Sequence, residues 1–308
     1  MLISSVFQKI LLVNSAFSQY NEVNIGCGGS SIALSILLIL SLLSAVGCSW
    51  SSFGSLDWLW VLPLSFLGSF VGMLVLVVLT VWILALTVDL KKPQEHDSKL
   101  FRGVIHFVVD LLIPLLGVRL HTKGLEMTPK SGRIMLVCNH LHEIDPAVLL
   151  HCFPKNQLAF VGKQETLQMP LIREFMHRIM CQLVNRENDR EALKTILNCI
   201  KLIKDDAVSI GVFPEGYCRK DHLLHPFRHG VFKIAQKTNV PIVVCTIQNT
   251  HKVIPNVLKL KPTHIHLHLV GVVQPEEIAG LTTVEVGSRI HAMMAQDLGS
   301  ELVLQEEA

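Results

Sequence analysis

Along the first ninety residues the apolar positions show no period. Between Glu22 and Asp57 no side chain is charged, and residues 31–50 read SIALSILLILSLLSAVGCSW. A second uncharged run follows between Asp57 and Asp89, richest over 66–88, with Pro63 near its start. A helix needs about 20 apolar residues to cross a bilayer. The pattern therefore predicts two transmembrane helices, at about 32–50 and 64–88, forming a hairpin. Trp50, Trp58 and Trp60 cluster at the connection, where indoles favour the headgroup level. Two rival readings are a secretory leader ending near Ala45-Val46-Gly47-Cys48 and a pair of buried core helices. The near-absence of an early charged region opposes the first. The uninterrupted length of both runs opposes the second.

Beyond Lys91 the pattern becomes periodic. Over 100–120, Val104, Phe107, Val108, Leu111, Leu112 and Leu115 recur at helical spacing, which predicts an amphipathic helix lying in the membrane interface or packed on the domain. Strands are then expected at 133–138, 158–161, 207–213, 242–247 and 264–270, with a short one at 182–184. Helices are expected at 146–152, 170–180, 190–203, 227–237 and 284–294. Alternation of this kind predicts an α/β layer with a mostly parallel sheet.

Charge sharpens the division. The 308 residues include 27 Lys and Arg and 25 Asp and Glu, yet only Lys9, Glu22, Asp57 and Asp89 precede Lys91. The chain divides into an anchor, 1–98, and a domain of ordinary composition, 99–308. Lys91 and Lys92 place the end of the second span in the cytoplasm by the positive-inside rule, giving a multi-pass protein of the cell membrane with its domain on the cytoplasmic side. The net charge of +2, without a basic stripe interleaved with aromatics, excludes nucleic acid as the expected partner. Eight cysteines without a Cys-x-x-Cys pair are expected to be reduced packing residues.

The sharpest chemical feature is Asn139-His140-Leu141-His142-Glu143-Ile144-Asp145, between a predicted strand and a predicted helix. On a continuous helix, residues five apart point in different directions. Across a loop that turns into a helix, the carboxylate of Asp145 can fold back onto the imidazole of His140. It would then fix the tautomer, leaving the other ring nitrogen to take a proton from a hydroxyl. The plainer alternative is that Asp145 caps the helix and His140 is a packed loop residue.

Further blocks follow in order: Phe213-Pro214-Glu215-Gly216, then Val240-Pro241-Ile242-Val243. Gly162-Lys163-Gln164-Glu165, Pro170 and Val184-Asn185-Arg186 lie between these and the first. Together they resemble the glycerophosphate acyltransferase family, most closely its 1-acylglycerol-3-phosphate acyltransferases, over about 100–278. The resemblance implies a layered α/β acyltransferase domain that moves a fatty acyl group from acyl-CoA or acyl carrier protein to the sn-2 hydroxyl of a membrane lipid, lysophosphatidic acid. The product would be phosphatidic acid, for phospholipid synthesis. By the resemblance His140 is the base and Asp145 orients it. Asn139, Glu215 and Gly216 help build the acceptor site, and Arg186 and Lys163 hold the phosphate, which suits arginine and lysine chemistry. No metal or other cofactor is implied, because a thioester is already activated. The chain departs from the family in one place. Tyr217 and Cys218 follow Glu215-Gly216, so the next arginine, Arg219, comes one position late. Arg219, Lys220 and Arg228 are the candidates for that phosphate contact.

Other readings stay open beside this one: another acceptor such as glycerol-3-phosphate or a different lysophospholipid, a thioester hydrolase, or a non-catalytic lipid-binding module. His264, His266 and His268 share one face of a strand, as either a polar surface or a zinc site. Cys138 and Cys218 flank the motifs and raise the question of a covalent acyl-cysteine.

Overall fold

The computed structural model describes residues 30–53, 55–185 and 188–304. Residues 1–29 of the expected anchor lie outside the described residues. Helices α1 (Ser30–Ser49) and α2 (Trp58–Leu86) form an antiparallel hairpin, both long and apolar enough to cross a membrane. The second begins before Pro63 rather than after it, and Pro63 sits inside its first two turns. Ala33, Leu37, Ser41, Ala45 and Ser49 recur every fourth residue and are the buried positions of α1. Small side chains on one stripe let two backbones approach closely. Ser49 Oγ lies 3.1 Å from Ser65 Oγ across the pair. The opposite faces leave large apolar side chains such as Leu43, Leu64 and Leu76 exposed.

Helix α3 (Lys99–Leu115) follows, and then strand β1 (Val118–Lys123). The periodic run expected to stay helical to residue 120 ends earlier. Gly117 adopts φ +64°, and the next six residues pair in parallel with the strand that contains His264. Local periodicity loses here to a strand partner 145 residues away in sequence (Val118 with Thr263). Of the two placements expected for α3, packing on the domain is the one observed. Phe101, Val109 and Ile113 join the main core, while Leu111 packs with Ala33 and Leu37 of α1.

The remaining elements are β2 (Met135–Cys138), α4 (Asp145–Cys152), β3 (Leu158–Lys163), α5 (Ile172–Arg178), β4 (Gln182–Val184), α6 (Asp189–Lys204), β5 (Ser209–Val212), α7 (Lys233–Thr238), β6 (Ile242–Gln248), α8 (Val253–Leu258), β7 (Thr263–Val273) and α9 (Thr283–Leu298). The helix expected over 227–237 resolves into a 3₁₀ turn, His229–Phe232, followed by the short α7. The seven-stranded sheet has the order β1-β7-β6-β2-β5-β3-β4. The β6-β2-β5-β3-β4 block is parallel, β7 runs antiparallel to β6, and β1 runs parallel to β7. This is the mostly parallel α/β sheet that the alternation predicts. Its central strands β2, β5 and β6 are buried on both faces almost throughout, as parallel strands covered by helices must be. Their carboxyl ends open at one edge, where α/β folds place sites.

Candidate active site

The loop after β2 carries Asn139 and His140, and α4 begins at Asp145. Asp145 does not cap this helix. Its N-cap is Ile144, without a side-chain hydrogen bond. The carboxylate turns back instead. Asp145 Oδ2 lies 2.8 Å from His140 Nδ1 and accepts the backbone N–H groups of Leu141 at 2.7 Å and His142 at 2.9 Å. Two backbone donors and full burial leave the carboxylate one orientation. With a carboxylate on Nδ1, the stable neutral tautomer of His140 has its proton there. Its lone pair is then on Nε2, which has no hydrogen-bond partner among the described residues and belongs to a side chain that keeps 14% exposure.

A column of rings supports the imidazole from below. His140 stacks on Phe213 with centroids 4.2 Å apart, and Phe213 stacks on Phe160 at 5.8 Å. The column starts at Gly211 in β5, where a Cβ would lie 2.5 Å from the Phe160 ring. Glycine at that point of a buried strand makes room for Phe160.

Glu215 approaches from the other side. Its Oε1 accepts the N–H of His140 at 2.8 Å and its Oε2 that of His225 at 3.1 Å. Burial pushes its carboxyl up to about 7 against the pull of these two donors. Glu215 thus binds the β2 loop to the loop after β5. Gly216 follows at φ +82°, and a Cβ on it would sit 3.1 Å from Arg228 Cδ and Nε. Arg228 Nη2 donates to the Tyr217 hydroxyl at 3.0 Å. Arg228, Lys163 and Arg219 lie over the Tyr217 ring at 5.2, 5.8 and 5.8 Å from its centroid. A ring face attracts cations, so the tyrosine that follows Glu215-Gly216 gathers basic groups that would otherwise repel one another.

The structure therefore brings together His140, Asp145 and Glu215, with Gly216, Arg219 and Lys163 beside them. Arg186 lies outside the described residues. Asn139 differs from expectation. It is buried, and its amide donates to Ile247 O at 2.9 Å and accepts from Ile247 N at 2.7 Å. Both ends of its side chain join β2 to β6, so it faces the sheet rather than an acceptor. Lys220 is exposed. Phe213, Tyr217 and His225 have roles that residue types and spacing did not reveal, since each depends on loop contacts made only in the fold.

The cysteines are not poised as nucleophiles. Burial raises the Cys138 thiol well above its ordinary value and pushes Cys218 up to about 11, and a thiol must ionise to attack. The strand histidines are engaged separately. His268 Nδ1 contacts Asp297, and His264 Nδ1 lies 2.8 Å from His121 Nε2. Among the described residues no group of three or more His, Cys, Asp and Glu side chains is placed to hold a metal ion. Near the dyad, His251 stacks on His222 at 3.8 Å. Burial and the neighbouring imidazole push it down to about 4, so it adds no charge near neutral pH.

A His–Asp pair and a cluster of basic side chains thus meet at the carboxyl edge of the parallel strands. Residues 119–248 match the model of the Acyltransferase family. Similar curated proteins are each described as a 1-acyl-sn-glycerol-3-phosphate acyltransferase. One from Borreliella burgdorferi is 26% identical over 156 residues, covering 50% of this chain and 62% of the relative. One from Cocos nucifera is 27% identical over 161 residues, covering 52% and 51%. The chloroplastic BAT2 of Brassica napus is 34% identical over 134 residues, covering 43% and 38%. The chain thus spans less than two thirds of the length of these relatives. The crystal structure of the 1-acyl-sn-glycerophosphate acyltransferase PlsC from Thermotoga maritima has the same fold, with a TM-score of 0.55 at 21% identity, covering 67% of this chain and 81% of that one.

Proposed function

We propose that the protein is a membrane-bound acyltransferase that makes phosphatidic acid from 1-acyl-sn-glycerol-3-phosphate. The observation that carries the reading is the His140–Asp145 pair, with Nε2 unpartnered beside a basic cluster. His140 Nε2 takes the proton of the sn-2 hydroxyl, and the oxygen attacks the thioester carbonyl of acyl-CoA or acyl carrier protein. The tetrahedral intermediate then expels the thiolate, which receives the proton from the imidazolium. Asp145 stabilises that imidazolium throughout. Lys163, Arg219 and Arg228 hold the acceptor phosphate, gathered over the Tyr217 ring, which positions the displaced Arg219. Helices α1 and α2 hold the domain at the cytoplasmic surface, where acceptor and product both dissolve.

The reading is tested by mass spectrometry of the lipids formed from a mixed acceptor pool with either donor. Phosphatidic acid formed from lysophosphatidic acid supports it. Acylation of another acceptor instead would reassign the substrate. Thioester loss without an acceptor would indicate a hydrolase. Binding of lysophosphatidate without turnover would favour a non-catalytic module, which the departure at Tyr217 and Cys218 suggests.

A further inference from the structure

The surface beyond β6 carries features that acyl transfer does not use. Helix α8 closes in a Schellman turn, in which Lys261 N–H donates to Asn256 O at 2.9 Å and Leu260 N–H to Val257 O at 3.0 Å. This turn puts one residue in the left-handed region, where glycine or asparagine is usual. Here it is Leu260, at φ +53°, a conformation that crowds any Cβ. The strain is accompanied by no internal packing. Leu260 is 95% exposed and Leu258 is 81% exposed, with Ile254 also exposed beside them. Lys252, Lys259 and Lys261 flank these residues in sequence and are exposed too. No aspartate or glutamate occurs between Asp221 and Glu276, so nothing on this part of the chain offsets the lysines.

Position fixes what such a patch meets. Thr263 N–H donates to Gly117 O at 3.0 Å, which ties the end of the turn to the residue that follows α3 and its cap. Leu112 and Leu115 at that end of α3 are exposed, and Leu111 is buried against the first turns of α1. From Leu111 to Gly117 the chain advances about 9 Å at helical rise. The turn is thus tied by one hydrogen bond to the end of the helix that packs on α1. At its other end α8 follows His251, which feels the charges of His142 and Asp145.

We infer that residues 253–262 form a second, monotopic membrane contact. Leu258 and Leu260 enter the boundary between headgroups and acyl chains, and Lys252, Lys259 and Lys261 lie over anionic lipid phosphates. Apolar side chains flanked by lysines are suited to that boundary. A second copy of this chain is disfavoured as the occupant, because it would bring the same lysines face to face. The contact holds the mouth of the site against the leaflet that supplies a lipid acceptor. The inference rests on α1 and α2 spanning the membrane, and not on which reaction the site performs.

The test is hydrogen–deuterium exchange on the full chain, one copy per nanodisc, in phosphatidylcholine with and without phosphatidylglycerol. Amides of 253–262 should exchange about tenfold more slowly in the anionic discs than in the neutral ones. The double variant Leu258→Gln with Leu260→Asn should lose that protection, since asparagine accepts the left-handed turn and the fold is kept. Replacing all three lysines by glutamine should remove its salt dependence. Equal exchange in both lipids, protection that survives the double variant, or protection that appears only with two copies per disc would each overturn the inference. Rapid exchange in α1 and α2 would instead overturn the spanning reading beneath it. Neither outcome depends on an activity assay.

Discussion

Two buried carboxylates hold His140, and they use their oxygens differently. Asp145 directs three donors to Oδ2: the His140 ring and the N–H groups of Leu141 and His142. Its Oδ1 is buried without a partner among the described residues. Glu215 divides its oxygens between two backbone donors, His140 N–H and His225 N–H. Asp145 thus concentrates its charge on the imidazole, while Glu215 fastens two loops. Exchanging each for its amide separates chemistry from architecture.

The largest effect is expected at the dyad. His140→Ala removes the base and should lower acyl transfer by about 10²–10⁴-fold, the range usual for a positioned general base. Asp145→Asn should approach the same loss while remaining folded. Its amide oxygen can occupy the Oδ2 position and keep the three donors, and its nitrogen falls where Oδ1 already has no partner. What it lacks is the charge that stabilises the imidazolium. Labelled acyl transfer and circular dichroism on both variants check this. An Asp145→Asn variant that keeps full turnover would reduce Asp145 to a loop fastener like Glu215.

Glu215→Gln should show the converse. One of its two backbone donors would face an NH₂ group, at a cost of about 1–3 kcal/mol of stability. Activity should fall mainly as the protein melts. The pH dependence separates the two carboxylates further. Native Glu215 holds its proton up to about 7, against 4.5 for an unperturbed glutamate. Between those values the native state binds more protons than the unfolded one, so stability falls as pH rises through the window. A shift of that size corresponds to roughly 3 kcal/mol. Thermal melting from pH 4 to 8 should show this fall in the wild type and lose most of it in Glu215→Gln. An unchanged slope in the variant would mean that another group titrates.

Gly211→Ala tests support that comes from neither carboxylate. Its methyl would lie 2.5 Å from the Phe160 ring and push on Phe213 and His140 through the column. Overpacking of this kind costs about 1–3 kcal/mol. The expected outcome is a lower melting temperature together with a lower kcat, although residue 211 touches no substrate. A melting loss with normal kcat would show that the column packs the core without orienting His140.

These contrasts also show what the chain alone could tell. Asp145 and His140 are five residues apart with a turn between them, so their meeting depends on local geometry, and spacing allowed it beside the reading of Asp145 as a helix cap. The direction of the Asp145 carboxylate, toward the loop rather than the helix, depended on which N–H groups that loop presents. Strand β1 was hidden because 100–120 keeps a helical period past the point where Gly117 breaks it, and its partner lies far along the chain. Asn139 adjoins the dyad in sequence, yet alternation along the chain turns it toward β6. Arg228 could be named only as one of three candidate cations, and its contact with Gly216 and Tyr217 exists only once the loop after β5 closes on itself.

The smallest predicted effect bears on the division between His140 and the basic cluster. Tyr217→Phe keeps the ring over which Lys163, Arg219 and Arg228 gather, and removes only the hydroxyl that accepts from Arg228 Nη2. That bond is exposed, so its loss should cost about 0.5–1 kcal/mol, a roughly two- to fivefold rise in KM for a phosphate-bearing acceptor. The value of kcat should not change, because neither the Asp145 contact nor the Phe213 stack of His140 is altered. Tyr217→Ala removes the ring as well and should raise KM further by the same route. A fall in kcat in Tyr217→Phe would mean that the cluster also positions the hydroxyl for attack, and that binding and chemistry are one unit here rather than two.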